Sequence, residues 1–266
     1  IVPPIEGAIP PERDVTDAEK ATNAKRMAEE DSIRNQYVAT FYSDTMSVVL
    51  GRVLGLPELN EVRTIMPKTR GNHAEIEHFL REAQHAGKLE DALFLLNVIS
   101  EKDLRDTPAD VLMDHLNNTP QIPENLYEKE TVPTKAPSVY SSLVHAYVMN
   151  PRVWNEYLTP YKKFFAERID TALATAARRN PQALVDWVKK NITIRNDLNP
   201  QYISIMPTGV WRARIADTYS RNIFFVAMAR SLGIPARIEL MTGKVQYYNH
   251  GWQDVNFDAD QQKNAP

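Results

Sequence analysis

Ser220, His250 and Asp254 are the residue types of a hydrolytic triad. A serine hydroxyl becomes a nucleophile when an imidazole takes its proton and a carboxylate orients the imidazole. Only a hairpin that carries His250 back over the start of the element holding Ser220 would assemble them, so a serine and a turn histidine on the surface is the favoured reading. Arg212, Arg214 and Arg221 surround the same stretch, with Arg230 and Arg237 further along. They could hold an anionic substrate group beside a helix N-terminus. Pairing with Asp217, Asp254 and Asp258 is favoured over that, because arginine suits partly buried ion pairs. Trp211, Trp252, Tyr219, Tyr247 and Tyr248 concentrate aromatic surface in the same region. Of these, Trp252 and Tyr247, with Arg221, are the candidate lining of a groove for peptide or sugar, although for the tryptophans domain core is the better expectation. His73, His78 and His85 lie near Glu77 and Glu82 on a helical stretch. Zinc sites on helices use three- or four-residue spacing, so a solvated face is expected there and no metal. His115 and His145 stand without a partner in sequence, and no cofactor is expected.

The element that must position this chemistry is the segment from Thr218 to Leu232. Ile223, Phe224, Ala227, Met228 and Leu232 recur at three- and four-residue spacing, which predicts a buried helix. Asp217 or Thr218 serves as its N-cap. Gly233 stands where a left-handed C-cap forms, and Pro235 forbids continuation. Strand patterns follow at Arg237–Leu240, Lys244–Tyr248 and Gln253–Phe257.

This helix, ending in Arg230-Ser-Leu-Gly-Ile-Pro-Ala-Arg237, resembles the core helix of the transglutaminase-like superfamily, a papain-like fold. The segment Leu184-Val-Asp-Trp-Val-Lys-Lys-Asn-Ile192 resembles the helix that precedes it, and the resemblance covers roughly residues 182–258. It implies a cysteine, histidine and aspartate site, with the cysteine at the helix N-terminus, where the dipole favours a thiolate. Counted back from Gly-Ile-Pro-Ala-Arg, the cysteine position is Thr218. The family's His-Ala-Trp-Val-Glu-Val strand, laid on Val245-Gln-Tyr-Tyr248, puts Thr242 in the histidine position. Gly251-Trp-Gln-Asp-Val-Asn256 puts Asn256 in the aspartate position. Lys102-Asp-Leu-Arg-Asp106 and Leu158-Thr-Pro-Tyr-Lys162 look like motifs of large transglutaminase-like proteins of Bacteroidetes, many exported or lipid-anchored. The resemblance therefore implies an extracytoplasmic location.

The chain has 266 residues, net charge −3 and no cysteine. Cysteine chemistry of every kind, from disulfides to thiol catalysis, is thereby excluded. The charge gives no reason to expect nucleic acid or an anionic membrane as partner. No apolar run reaches the ~20 residues that span a bilayer. The ends, Ile1-Val-Pro-Pro and Asn264-Ala-Pro266, suggest a piece of a longer protein.

Prolines at 3, 4, 10 and 11 predict an extended start. A helical pattern runs from Asp17, capped by Thr16 or Asp17 itself, through Ala18, Ala21, Met27, Ile33 and Tyr37 to Phe41. A helical array follows from Asn72 to about Asn117, with Ile76, Phe79 and Leu80 on one face. Residues 119–137, with four prolines, read as a linker or wrapping loop. Further helices are expected over Tyr140–Met149, Trp154–Ala177 and Gln182–Asn191. Helices first and a small sheet last predict an α+β fold. The expected division is a helical region at 1–118, the linker, and a transglutaminase-like domain at 138–266.

Three functions remain open. A non-catalytic transglutaminase-like domain, keeping a groove for peptide or glycan, is favoured, since losing one member of a catalytic unit removes nearly all its effect. The second is a hydrolase or acyl transferase with a hydroxyl nucleophile. The third is a helical scaffold that binds other proteins.

Overall fold

The computed structural model of the protein describes residues 15–122 and 143–257. Most of the proline-rich segment at 119–137, and Asp258, lie outside the described residues. The chain divides into two compact units after Phe41.

The first unit is the helix α1 (Asp17–Ala39), and Thr16 is its N-cap. The Thr16 hydroxyl accepts the Glu19 N–H at 3.2 Å, and the Glu19 carboxylate accepts the Thr16 N–H at 3.0 Å. These bonds close a capping box that satisfies two helix-end donors. The expected helix forms, and no residue of α1 is buried. Local terms hold this helix: the cap, and side-chain pairs such as Lys25 with Glu29 and Arg26 with Glu30 one turn apart.

The second unit opens with a helical array. It comprises α2 (Asp44–Val53), α3 (Asn60–Ile65), a 3₁₀ turn at Met66–Asn72, α4 (His73–His85), α5 (Leu89–Val98), α6 (Glu101–Asp106) and α7 (Ala109–Asn117). The predicted face Ile76, Phe79 and Leu80 is fully inside, packed in one core with Leu95, Leu96 and Leu112.

The expected helix over Trp154–Ala177 is broken. Residues 143–149 are helical and end in a π-turn at His145–Met149, and 150–161 are irregular. Regular helix resumes at α8 (Lys162–Arg168) and again at α9 (Thr171–Arg179). Pro151 and Pro160 remove backbone donors from this stretch. The buried Glu156 carboxylate accepts the N–H groups of Val153 and Trp154 at 2.7 and 2.8 Å, which fixes a loop instead. Asp170 caps α9 by accepting the Ala172 N–H at 2.8 Å.

α10 (Gln182–Asn191) forms as expected. After it, β1 (Thr193–Ile194) pairs in parallel with β2 (Ile215–Ala216), with α11 (Pro207–Ala213) between them. α12 (Thr218–Ser231) is the predicted core helix. Its C-terminus is a Schellman motif: Ile234 N–H donates to Ala229 O, Gly233 N–H donates to Arg230 O, and Gly233 has φ +80°. β3 (Ala236–Ile238), β4 (Val245–Tyr248) and β5 (Trp252–Asp254) form an antiparallel meander in sequence order. The small sheet packs on α12, so the α+β expectation holds.

A buried polar network joins the helical array to this C-terminal layer, and nothing in the sequence pattern announced it. Arg230 of α12 donates to the carbonyls of Asn150, Arg152 and Ala236. Arg152 pairs with the Asp103 carboxylate of α6 and donates to Glu156 O at 2.6 Å. The Lys162 amine, wholly buried, donates to Thr119 Oγ1 and to the carbonyls of Val148 and Met149. Burial, reinforced by nearby Arg230, holds that amine well below its usual basicity.

His115 belongs to the same network. Its Nε2 lies 3.0 Å from the Thr159 carbonyl, so Nε2 carries the proton and donates, leaving Nδ1 bare and buried. Burial, then the charge of Lys162, pushes its pKa well below 6.5. The unfolded chain therefore takes up a proton that the folded one refuses, and stability falls as pH drops below about 6.5. The expected slope from this residue is up to about 1.4 kcal/mol per pH unit. Urea denaturation at pH 7.5 and 5.5 measures it, and His115→Gln should flatten the difference. An unchanged pH dependence in that variant would remove His115 from the account. His145, half-buried against Phe94, shifts the same way through burial, so part of the pH dependence should survive in the His115 variant.

Candidate functional site

The resemblance implies a nucleophile at the start of α12, and the chain's own groups occupy that place. An α-helix leaves its first N–H groups without intrahelical partners. Asp217 is the N-cap, and its Oδ1 accepts the N–H groups of Tyr219 and Ser220 at 2.8 and 3.0 Å. Asn196 Oδ1 accepts the Thr218 N–H at 2.9 Å and the Thr218 hydroxyl at 3.2 Å. Burial pushes the Asp217 carboxyl up, but hydrogen bonds from Ser220, Asn199 and the Tyr219 N–H outweigh it and hold it below its usual value. A carboxylate thus already sits in the positive end of the helix dipole.

The loop before the helix closes the site further. Asn199 donates to Asp217 Oδ2 at 2.7 Å and to Ile203 O at 2.8 Å. Ile205 N–H donates to Ser220 Oγ at 2.9 Å, while Ser220 Oγ donates to Asp217 Oδ2 at 2.6 Å. Ser220 is fully buried beneath this loop. Its hydroxyl is engaged both as donor and as acceptor.

The structure does not assemble the residues named as a triad. Ser220 is spent as described, and Asp254 accepts from Lys244 at 2.5 Å and Gln246 at 2.8 Å. His250 sits exposed in the β4–β5 turn with φ +52°, and no hydrogen bond joins it to either. The degenerate positions are likewise tied locally. Thr218 bonds to Asn196, and the Thr242 hydroxyl donates to Glu239 at 2.7 Å in the β3–β4 turn. Asn256 is exposed just beyond β5. The strand pattern quoted for the family also fits a second frame, His250-Gly-Trp252-Gln-Asp254-Val255, and this frame, unlike the one laid on β4, coincides with β5. Matching Trp252 to the pattern's tryptophan puts His250, two residues before β5, in the histidine position of that frame, where the first frame puts Thr242.

The proposed groove lining is also divided. Strand alternation turns Tyr247 inward with Ala236, Ile238 and Val245 onto α12, and Trp252 outward beside Tyr248. Arg221 is buried, stacked 4.2 Å from the Phe257 ring and bonded to Asn222. Trp252 therefore shares no face with the other two. It shares one with Arg237, which lies 4.1 Å over its ring and donates to Gln246 at 2.9 Å. Tyr147 packs edge-on against Trp252 at 4.8 Å. The expected core role of Trp252 does not hold, while Trp211 does pack partly buried against the C-terminal core.

The arginine pairings differ as well. Asp217 and Asp254 are taken by the partners above, and Arg212 and Arg214 form no ion pair among the described residues. Instead Arg214 stacks on Trp211 and Trp187, and Arg212 lies over Phe164. His78 and His85 are exposed on α4, and His73 leans on the Tyr42 ring.

No helix among the described residues is long and apolar enough to cross a membrane. No curated protein and no solved structure gives a significant match to the chain. The core helix, its Schellman stop and the meander packed on it lie inside the one segment that does match a family model, and residues 163–262 are thereby a transglutaminase-like domain.

Proposed function

We propose that this transglutaminase-like domain is non-catalytic and serves in binding. The observation that carries the reading is the sealed start of α12: a capping carboxylate, an asparagine and a covering loop occupy the place where a thiolate would form. No cysteine exists to take that place. A hydroxyl nucleophile fares no better, because the carboxylate that Ser220 touches among the described residues, Asp217, is held below its usual pKa and is a poor base. Binding falls to the outer face of the sheet, where Trp252, Tyr248 and Arg237 offer a stacking surface for a peptide or a sugar ring. The test is an assay of the purified protein on amide, ester and glutaminyl substrates beside Thr218→Ala and Ser220→Ala. No turnover is expected from any of the three. Turnover by the wild type that vanishes in either variant would establish a hydroxyl-nucleophile enzyme instead.

A further inference from the structure

The aromatic and cationic side chains of α8, α10 and α11, with Arg214 at the end of α11, form one cluster of their own. Trp187 and Trp211 stack with centroids 5.2 Å apart and planes 15° apart. The Arg214 guanidinium lies 4.2 Å over Trp211 and 5.0 Å from Trp187. Phe164 meets Trp211 edge-on and carries Arg212 at 5.3 Å and Arg168 at 4.1 Å. Three positive charges thus gather on one surface of a chain whose net charge is −3.

The charges are unequal in what they already hold. Arg168 is engaged with Glu167 and the Phe164 carbonyl. Arg212 and Arg214 have no carboxylate and no hydrogen-bond acceptor among the described residues, and the Arg214 Nη1 is buried without a partner. A guanidinium has five N–H donors in a rigid plane that fits the two oxygens of a carboxylate or phosphoryl group. The Trp211 and Trp187 rings lie against this one and consume none of those donors. The backbone adds a second sign. Arg214 is the C-cap of α11 at φ +57°, ψ 19°, a left-handed conformation in which glycine or asparagine is the ordinary choice. That backbone conformation does not call for arginine, and burial lowers its pKa with no acidic neighbour to offset it.

We propose that Arg214 and Arg212, on the Trp187–Trp211 platform, bind an oxyanion: the carboxylate or phosphoryl group of a small ligand whose flat or apolar body rests on the exposed ring edges. The stacked guanidinium presents its edge to the oxyanion, and Arg212 supplies the second charge.

Tryptophan fluorescence and melting temperature, followed during titration with inorganic phosphate and separately with acetate, test this. Sodium chloride at matched ionic strength is the control. A saturable fluorescence change and a rise in melting temperature are expected with at least one anion and not with chloride, and the arm that responds tells phosphoryl from carboxylate. Arg214→Gly, which suits the left-handed backbone, should melt at or above the wild-type temperature and weaken binding tenfold or more. Arg212→Ala should weaken it several-fold. Responses no larger than chloride, or equal in wild type and Arg214→Gly, would overturn the site. So would a marked fall in the melting temperature of Arg214→Gly, since the guanidinium would then be a structural brace.

Discussion

Asp103→Ala should destabilise the protein by about 3–5 kcal/mol, as loss of one partner from a buried ion pair does. The Asp103 side chain has no solvent exposure and that of Arg152 has 13%. Removing the carboxylate leaves the guanidinium in a site that water does not reach freely. The same carboxylate accepts the Ser100 hydroxyl at 2.7 Å in the capping box of α6, so the helix end loses a partner too. The loss should spread. Arg152 positions the loop whose carbonyls receive Arg230, and Arg230 reaches the Ala236 carbonyl at the first residue of β3. Urea denaturation of Asp103→Ala, Arg152→Ala and the double variant separates the terms. The double variant should cost well below the sum of the singles, because the charge each single strands is gone. Strict additivity, or a loss under about 1 kcal/mol for Asp103→Ala, would mean that the pair is solvated and the network is no junction.

That network marks where sequence reasoning stops. The helix at 218–231 was legible because burial, capping and termination all left local traces: periodic apolar residues, an aspartate at the start, Gly-Ile-Pro at the end. The three strands were legible for the same reason, shifted by up to three residues at their ends. Asp103, Arg152, Lys162 and Arg230 left none. Asp103, Arg152 and Lys162 read as surface charges and Arg230 as a partner for an acidic group, and what buries each is the approach of segments far apart in the chain. The irregular stretch at 154–161 was misread as helix because Trp154–Ala177 has a helical pattern in its second half, while the Glu156 loop bonds that break the first half have no periodic signature. At the candidate site, chemistry-bearing types were found but not their use. Ser220 read as a surface serine, with a nucleophile as the alternative, and is a buried tie between a loop and a cap. Arg214 looked like half of an ion pair and is half of a stack. The groove lining failed on one-residue parity, since Tyr247 and Tyr248 face opposite ways and only the inward one had been chosen.

Phe224→Ala should cost about 3–5 kcal/mol, the range for truncating a buried phenylalanine in a core that cannot collapse around the gap. Phe224 is fully enclosed in the C-terminal core, its ring 5.8 Å from that of Phe165 on α8. Phe165 in turn meets Tyr161, Phe164 and Trp211, so the ring removed is one wall of an interlocked aromatic set rather than an isolated contact. α12 is inside on nearly all sides, from Ile223 through Ser231, so no solvent-facing side lets it shift to fill the cavity. Phe224→Leu separates the cavity from loss of the ring: keeping most of the volume, it should cost clearly less. The two variants also bear on the binding reading. A damaged core should lower melting temperature while leaving the outer face carrying Trp252 intact below that temperature, because that face is held by strand pairing and by Arg237. A Phe224→Ala loss below about 1 kcal/mol would show that α12 is not the packing centre of the domain, and the sealed helix start would lose its structural support with it.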